Sequence, residues 1–106
     1  MEQIFIDRFI VPAGAKAEFL QRMAINRDFI VKLPGFIRDE AYERDDEQGN
    51  LVCITMAIWA SESDLENAKQ LVRAEYQKRG FDLPAMLVRL GINMERGQYQ
   101  KLSGEQ

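Results

Sequence analysis

The sequence predicts an α+β domain with the order β-α-β-β-α-(α)-β and a four-stranded antiparallel sheet. Three observations carry this. Two segments, Gln3 to Val11 and Leu51 to Ala60, are rich in β-branched and aromatic residues and apolar on both faces. Two longer segments repeat apolar residues at helical spacing. A polar run, Asp45 to Asn50, separates two strand-like segments closely enough for a hairpin.

The first strand places Ile4, Ile6, Arg8 and Ile10 on one face and Phe5, Asp7, Phe9 and Val11 on the other. Pro12-Ala13-Gly14 stops it. A helix over Ala15 to Lys32 carries Phe19, Leu20, Met23 and Ile30 as its stripe, which Asn26 and Arg27 interrupt. Leu33-Pro34-Gly35 ends it, because proline disfavours the helical region for the residue before it. Phe36 to Arg44 is a charged second strand, and Leu51 to Ala60 is the third. Ser61 and Asp64 resemble a capping box, opening a helix whose face holds Leu65, Ala68, Val72 and Tyr76 and whose end is Gly80. A shorter helix runs from about Asp82 to Leu90, with Leu83, Met86, Leu87 and Leu90 on one side. Ile92 to Leu102 is the last strand, anchored by Ile92, Met94 and Tyr99, and Ser103 to Gln106 is expected to fray. This order is the split βαβ, ferredoxin-like plan, in one domain spanning 1–106.

Helices cover one face of such a sheet. The first and third strands are apolar on both, and no element remains to cover the second face. The expectation is a homodimer with the two open sheet faces together.

Composition narrows the chemistry. The chain has no histidine, which removes the usual general base near neutral pH, the commonest metal ligand and the usual haem ligand. The single cysteine, Cys53, forms neither an internal disulfide nor a thiolate metal site alone, and reads as a small buried hydrophobe. With 14 basic and 17 acidic residues the net charge is −3, so there is no basic excess to neutralise nucleic-acid phosphates. No apolar stretch is long enough to span a membrane, and the acidic start does not look like a signal peptide. A free thiol without a signal points to the cytoplasm.

Candidate site residues follow from polar groups in apolar settings. Asp7 lies between Phe5 and Phe9 on one strand face; under helices it becomes a general base able to act at neutral pH, or it takes an ion-pair partner. Asn26 and Arg27 either reach solvent or point inward as donors. Tyr76 shares an apolar stripe, so its ring turns in and its hydroxyl needs a partner. Arg79 reads as a complement to the helix end. Trp59 either closes the core or forms a flat wall against an aromatic ligand. Tyr42 and Arg38 share a face of the second strand, but which face depends on a register that the loop does not determine. Met23 and Met86 fill core or line an adaptable apolar pocket.

The arrangement resembles the antibiotic biosynthesis monooxygenase family of the dimeric α/β-barrel superfamily. The resemblance covers nearly the whole chain. It rests on Ile6-Asp7-Arg8-Phe9, on Leu33-Pro34-Gly35-Phe36, and on Ala57-Ile58-Trp59-Ala60-Ser61 running straight into a helix. It implies a pocket between helices and sheet in each subunit. It also implies cofactor-free oxygenation of a small aromatic or quinone-like molecule. Such chemistry needs a base, an oxyanion donor and apolar walls; the candidates here are Asp7 as the base, Tyr76 or Asn26 as the donor, and Phe9, Trp59, Tyr42 and Met86 against the substrate. Haem-degrading relatives use an asparagine on the first strand, this tryptophan and a histidine. Here the strand position is Asp7 and the histidine is missing, so no haem or metal cofactor is expected. Two alternatives remain: a non-catalytic dimeric binding or accessory domain, and an isomerase of a small phosphorylated carbonyl compound, which would need basic residues converging in the pocket.

Overall fold

The computed structural model describes residues 1–102; the expected tail, 103–106, lies outside the described residues. The elements are β1 (Gln3–Val11), a short 3-10 turn (Ala13–Ala15), α1 (Lys16–Ile30), β2 (Phe36–Asp45), β3 (Leu51–Trp59), α2 (Glu62–Arg79), α3 (Leu83–Leu90) and β4 (Asn93–Tyr99). The sheet order is β2-β3-β1-β4, and every neighbouring pair is antiparallel. This is the predicted ferredoxin-like α+β architecture. The last strand is shorter than predicted, beginning at Asn93 and ending at Tyr99.

Local chemistry explains the boundaries. Asp46 organises the hairpin loop: its Oδ1 accepts the backbone N–H groups of Gln48 and Asn50, each at 2.9 Å, and its Oδ2 accepts the Asn50 amide at 3.1 Å. This brings Asp45 opposite Leu51 and sets the register that the sequence left open. At the start of α2, Ser61 Oγ accepts the Asp64 N–H at 3.1 Å, as a capping serine should. The Asp64 carboxylate then takes the Ser61 hydroxyl at 2.9 Å rather than the Ser61 N–H, so the capping box is one-sided. Gly80 ends α2 in the left-handed region at φ +66°. Pro84 is tolerated because it lies in the first turn of α3, where N–H groups have no helical partner anyway.

The core lies on the sheet face that carries Phe9, Val11, Leu51 and Cys53. Phe19 of α1 and Met86 and Leu87 of α3 close over it, with Phe9 and Phe19 edge to face at 4.9 Å. A second cluster joins Trp59 to Leu65 and Ala68 of α2. The other face presents Ile4, Ile6, Arg8 and Ile10 of β1 beside Val52, Ile54, Met56 and Ile58 of β3. Among the described residues no helix covers it.

Candidate functional site

A cavity of about 1020 Å³ opens between the sheet and the helices. Phe5, Asp7, Thr55, Ala57, Trp59 and Arg96 form its floor; Met23, Asn26 and Arg27 of α1 and Leu65, Lys69 and Tyr76 of α2 form its walls. Its size suits a small organic ligand. The broken stripe of α1 now has a reason. Where the helix passes over the cavity there is no apolar core to meet, so Asn26 and Arg27 replace hydrophobes there. Asn26 is nevertheless buried, so it does not reach solvent.

Four predicted site residues, Asp7, Asn26, Trp59 and Tyr76, line this one cavity. Three do not. Phe9 is 2 % exposed and packs within the core behind it. Met86, on α3, is buried in the same core. Tyr42 stands opposite Ile54 on the uncovered sheet face, and its hydroxyl donates to Glu40. The register decides this, since alternate residues of a strand face opposite ways. Arg38 shares that face and pairs with Glu40 at 3.2 Å.

Asp7 has found a partner. Arg96 of β4 donates to both of its carboxylate oxygens, Nε to Oδ1 at 2.8 Å and Nη2 to Oδ2 at 2.9 Å. Such two-point pairing is among the stronger charged contacts. It holds Arg96 above its ordinary pKa, chiefly through the bond to Asp7. Of the two outcomes open to Asp7 from sequence, the structure makes the ion pair. Arg96 itself is absent from the candidates above. Its signal was the strand period: it has the parity of the anchors Ile92 and Met94, but the third anchor, Tyr99, has the opposite parity and obscured that face.

The remaining polar groups divide sharply. Arg27 donates to Asp39 at 2.7 Å and is held above its usual pKa by that bond. Lys69 donates to Gln98 at 3.2 Å and lies 5.4 Å from the Phe5 ring centre. Asn26 Oδ1 is buried with no hydrogen-bond partner. A buried acceptor without a donor costs about 1–3 kcal/mol, so its position asks for one. Tyr76 packs edge to face on Phe81 at 5.0 Å, and burial pushes its hydroxyl pKa up, against the lowering influence of Arg22, Arg96 and Arg79. It therefore remains a protonated donor at neutral pH. Trp59 is 3 % exposed, edge to face with Phe36 at 5.5 Å, and so serves both the core and the cavity wall. Among the described residues no group of three or more His, Cys, Asp or Glu could hold a metal.

No protein-family model and no curated protein matches the chain. Solved structures do. SnoaB, a cofactor-independent oxygenase from Streptomyces nogalater, matches in a mutant form with TM-score 0.70 and 25% identity over 98% of both chains. A proposed antibiotic biosynthesis monooxygenase from Nitrosomonas europaea matches with TM-score 0.67 and 12% identity, over 97% of this chain and 92% of that one. The chain has the antibiotic biosynthesis monooxygenase fold. A dimeric ferredoxin-like protein from an uncultured marine organism shares this fold with TM-score 0.69 and 6% identity, over 92% of each chain. That the monooxygenase fold extends over nearly all of the chain agrees with the extent of the resemblance in the sequence.

Proposed function

We propose that the protein is a cofactor-independent monooxygenase that binds a small, electron-rich aromatic molecule between its helices and its sheet. The observation that carries the reading is the convergence of Asp7, Asn26, Trp59 and Tyr76 on one cavity. The likeness to SnoaB supports the oxygenase chemistry.

The chemistry asks little of a protein. An aromatic ketone with an acidic CH₂ loses one proton; the resulting carbanion reduces O₂ and forms a carbon–oxygen bond. The hydroperoxide then loses water, leaving a new carbonyl with one oxygen atom from O₂ and the other in the water. The protein must hold the ring, accept the proton and stabilise the enolate oxygen in a dry site. Trp59 and Phe5 offer apolar walls. Asp7, although paired with Arg96, takes the proton on a lone pair that the guanidinium leaves free, and Tyr76 donates to the enolate oxygen. Asn26 Oδ1 accepts from a substrate hydroxyl.

The test is oxygen uptake with an anthrone-type substrate, product formation being followed by absorbance. The wild type should consume one O₂ per product above the uncatalysed rate. Asp7→Asn and Tyr76→Phe should each lower the rate by roughly 10²-fold or more while the fold is kept. Uptake no faster than without protein sinks the oxygenase reading.

The Asp7–Arg96 pair favours a second reading, in which the carboxylate is structural and the protein binds its ligand without turning it over. The same assay separates the two: binding without oxygen uptake supports the second. In either case we propose that the working unit is a homodimer joined through the uncovered sheet face. The apolar stripe of β1 and β3 there supports this, as does the dimeric description of a protein of the same fold.

A further inference from the structure

Arg22 of α1 lies in the wall of a second, smaller cavity of about 480 Å³ between α1 and α3. Its Nε and Nη2 are buried and find no acceptor. The guanidinium carbon lies 3.7 Å from the centre of the Phe81 ring. Two carboxylates line the same cavity, yet both are engaged elsewhere. Glu18 is held by Arg89, and Asp82 Oδ1 accepts the Ala85 N–H at 3.0 Å to cap α3. Four residues further along α1, Asn26 Oδ1 is the buried acceptor already described. Residues spaced by four share a helix face. One face of α1 therefore carries two buried donors and one buried acceptor, all without partners.

This arrangement is costly. Leaving a charged group's donors buried and unmatched costs more than contact with an aromatic ring returns. Phe81 is thus a resting place that an anion would improve on. It is also the boundary between the cavities, because it lines both. The charge of Arg22 is felt across it, since it opposes the upward push of burial on the Tyr76 hydroxyl.

We propose that Arg22 determines ligand specificity, leaving the Phe81 ring to take a carboxylate of the ligand while Asn26 Oδ1 accepts a hydrogen bond from a hydroxyl of the same molecule. The ligand class is a hydroxylated aromatic acid. This rests on the cavity being an aromatic-binding site. The move itself is a side-chain rotation, with no change of backbone.

The test is titration calorimetry with three probes: a hydroxynaphthoate whose hydroxyl and carboxylate are not adjacent, so that the hydroxyl is free to donate, the corresponding naphthoate, and the corresponding naphthol. The wild type should bind hydroxynaphthoate roughly tenfold or more tightly than naphthol, and more tightly than naphthoate. Arg22→Met keeps the apolar stem and removes a buried unpaired charge, so it should melt no lower than the wild type. It should weaken hydroxynaphthoate to the level of naphthol, weaken naphthoate as well, and leave naphthol unchanged. Arg22→Lys should retain part of the preference. Equal binding of naphthol and hydroxynaphthoate by the wild type overturns the role of Arg22 and leaves the aromatic cavity standing. So does an Arg22→Met variant that weakens all three alike. Failure of every probe to bind overturns both.

Discussion

Tyr76 is the residue whose burial has the clearest measurable consequence. Its hydroxyl faces the cavity beside Phe81, and desolvation of the charged form raises its pKa above the ordinary 10.0. Below that value the group is protonated in the folded and unfolded chains alike. As pH rises past it, the unfolded chain releases its proton first while the folded chain keeps its own. Stability therefore falls with rising pH. Urea unfolding between about pH 9 and 11 should show this fall, and Tyr76→Phe should flatten it. Cys53, whose thiol burial also pushes up, bends the curve in the same direction from 9.0, so a residual slope should remain in the variant. An unchanged slope would mean that Tyr76 is not desolvated. At this scale the sequence was partly legible. An aspartate between two phenylalanines and a tyrosine in an apolar stripe are anomalies that single residues reveal. Arg96 and Arg22 are not anomalous by themselves, because arginine is common at surfaces. Only their neighbours make one a clamp on Asp7 and leave the other with two buried nitrogens that find no acceptor.

The elements were the most legible level. β1 runs from Gln3 to Val11 as its apolar pattern predicts, and Ser61 and Gly80 bound α2 as their chemistry predicts. Leu33-Pro34-Gly35 follows the end of α1, as a helix stop should, but it does more. Gly35 has φ +82°, and a Cβ there would lie 2.3 Å from the Asp64 Cγ, while its carbonyl accepts the Ala60 N–H at 2.8 Å. The turn is thus pressed against the start of α2, next to Trp59. Gly35→Ala should destabilise the fold by about 2–4 kcal/mol, through left-handed strain and overpacking against Asp64. Chemical denaturation measures this, and a loss below about 0.5 kcal/mol, typical of a neutral surface change, would show that the turn is free to move. The facing of β2 was not legible. The charged strand Phe36–Asp45 has no apolar face to declare, so the Asp46 turn, rather than a hydrophobic pattern, sends Tyr42 to the uncovered side.

At the scale of the molecule, the decisive feature is a sheet that, among the described residues, has helices on one side only. Ile6 sits near the middle of the uncovered face, opposite Met56 and Gly97. Light scattering at micromolar concentration should give the wild type twice the 12.3 kDa of one chain. Ile6→Glu should give a single-chain mass with an unchanged circular dichroism spectrum, because an unpaired charge buried between two sheets is strongly unfavourable. A monomeric wild type would refute the face-to-face dimer.

The sequence by itself determined the order and type of the elements, the double-sided apolarity of β1 and β3, and the absence of histidine chemistry. Each of these is a local or periodic property that the chain carries wherever it goes. Only the tertiary structure decided that Asp7 is clamped by Arg96, that Asn26 Oδ1 and the Nε and Nη2 of Arg22 are buried without partners, and that Tyr42 and Met86 lie apart from the cavity. These depend on strand register and on distances across the fold between residues far apart in the chain. No pattern along a single segment encodes them.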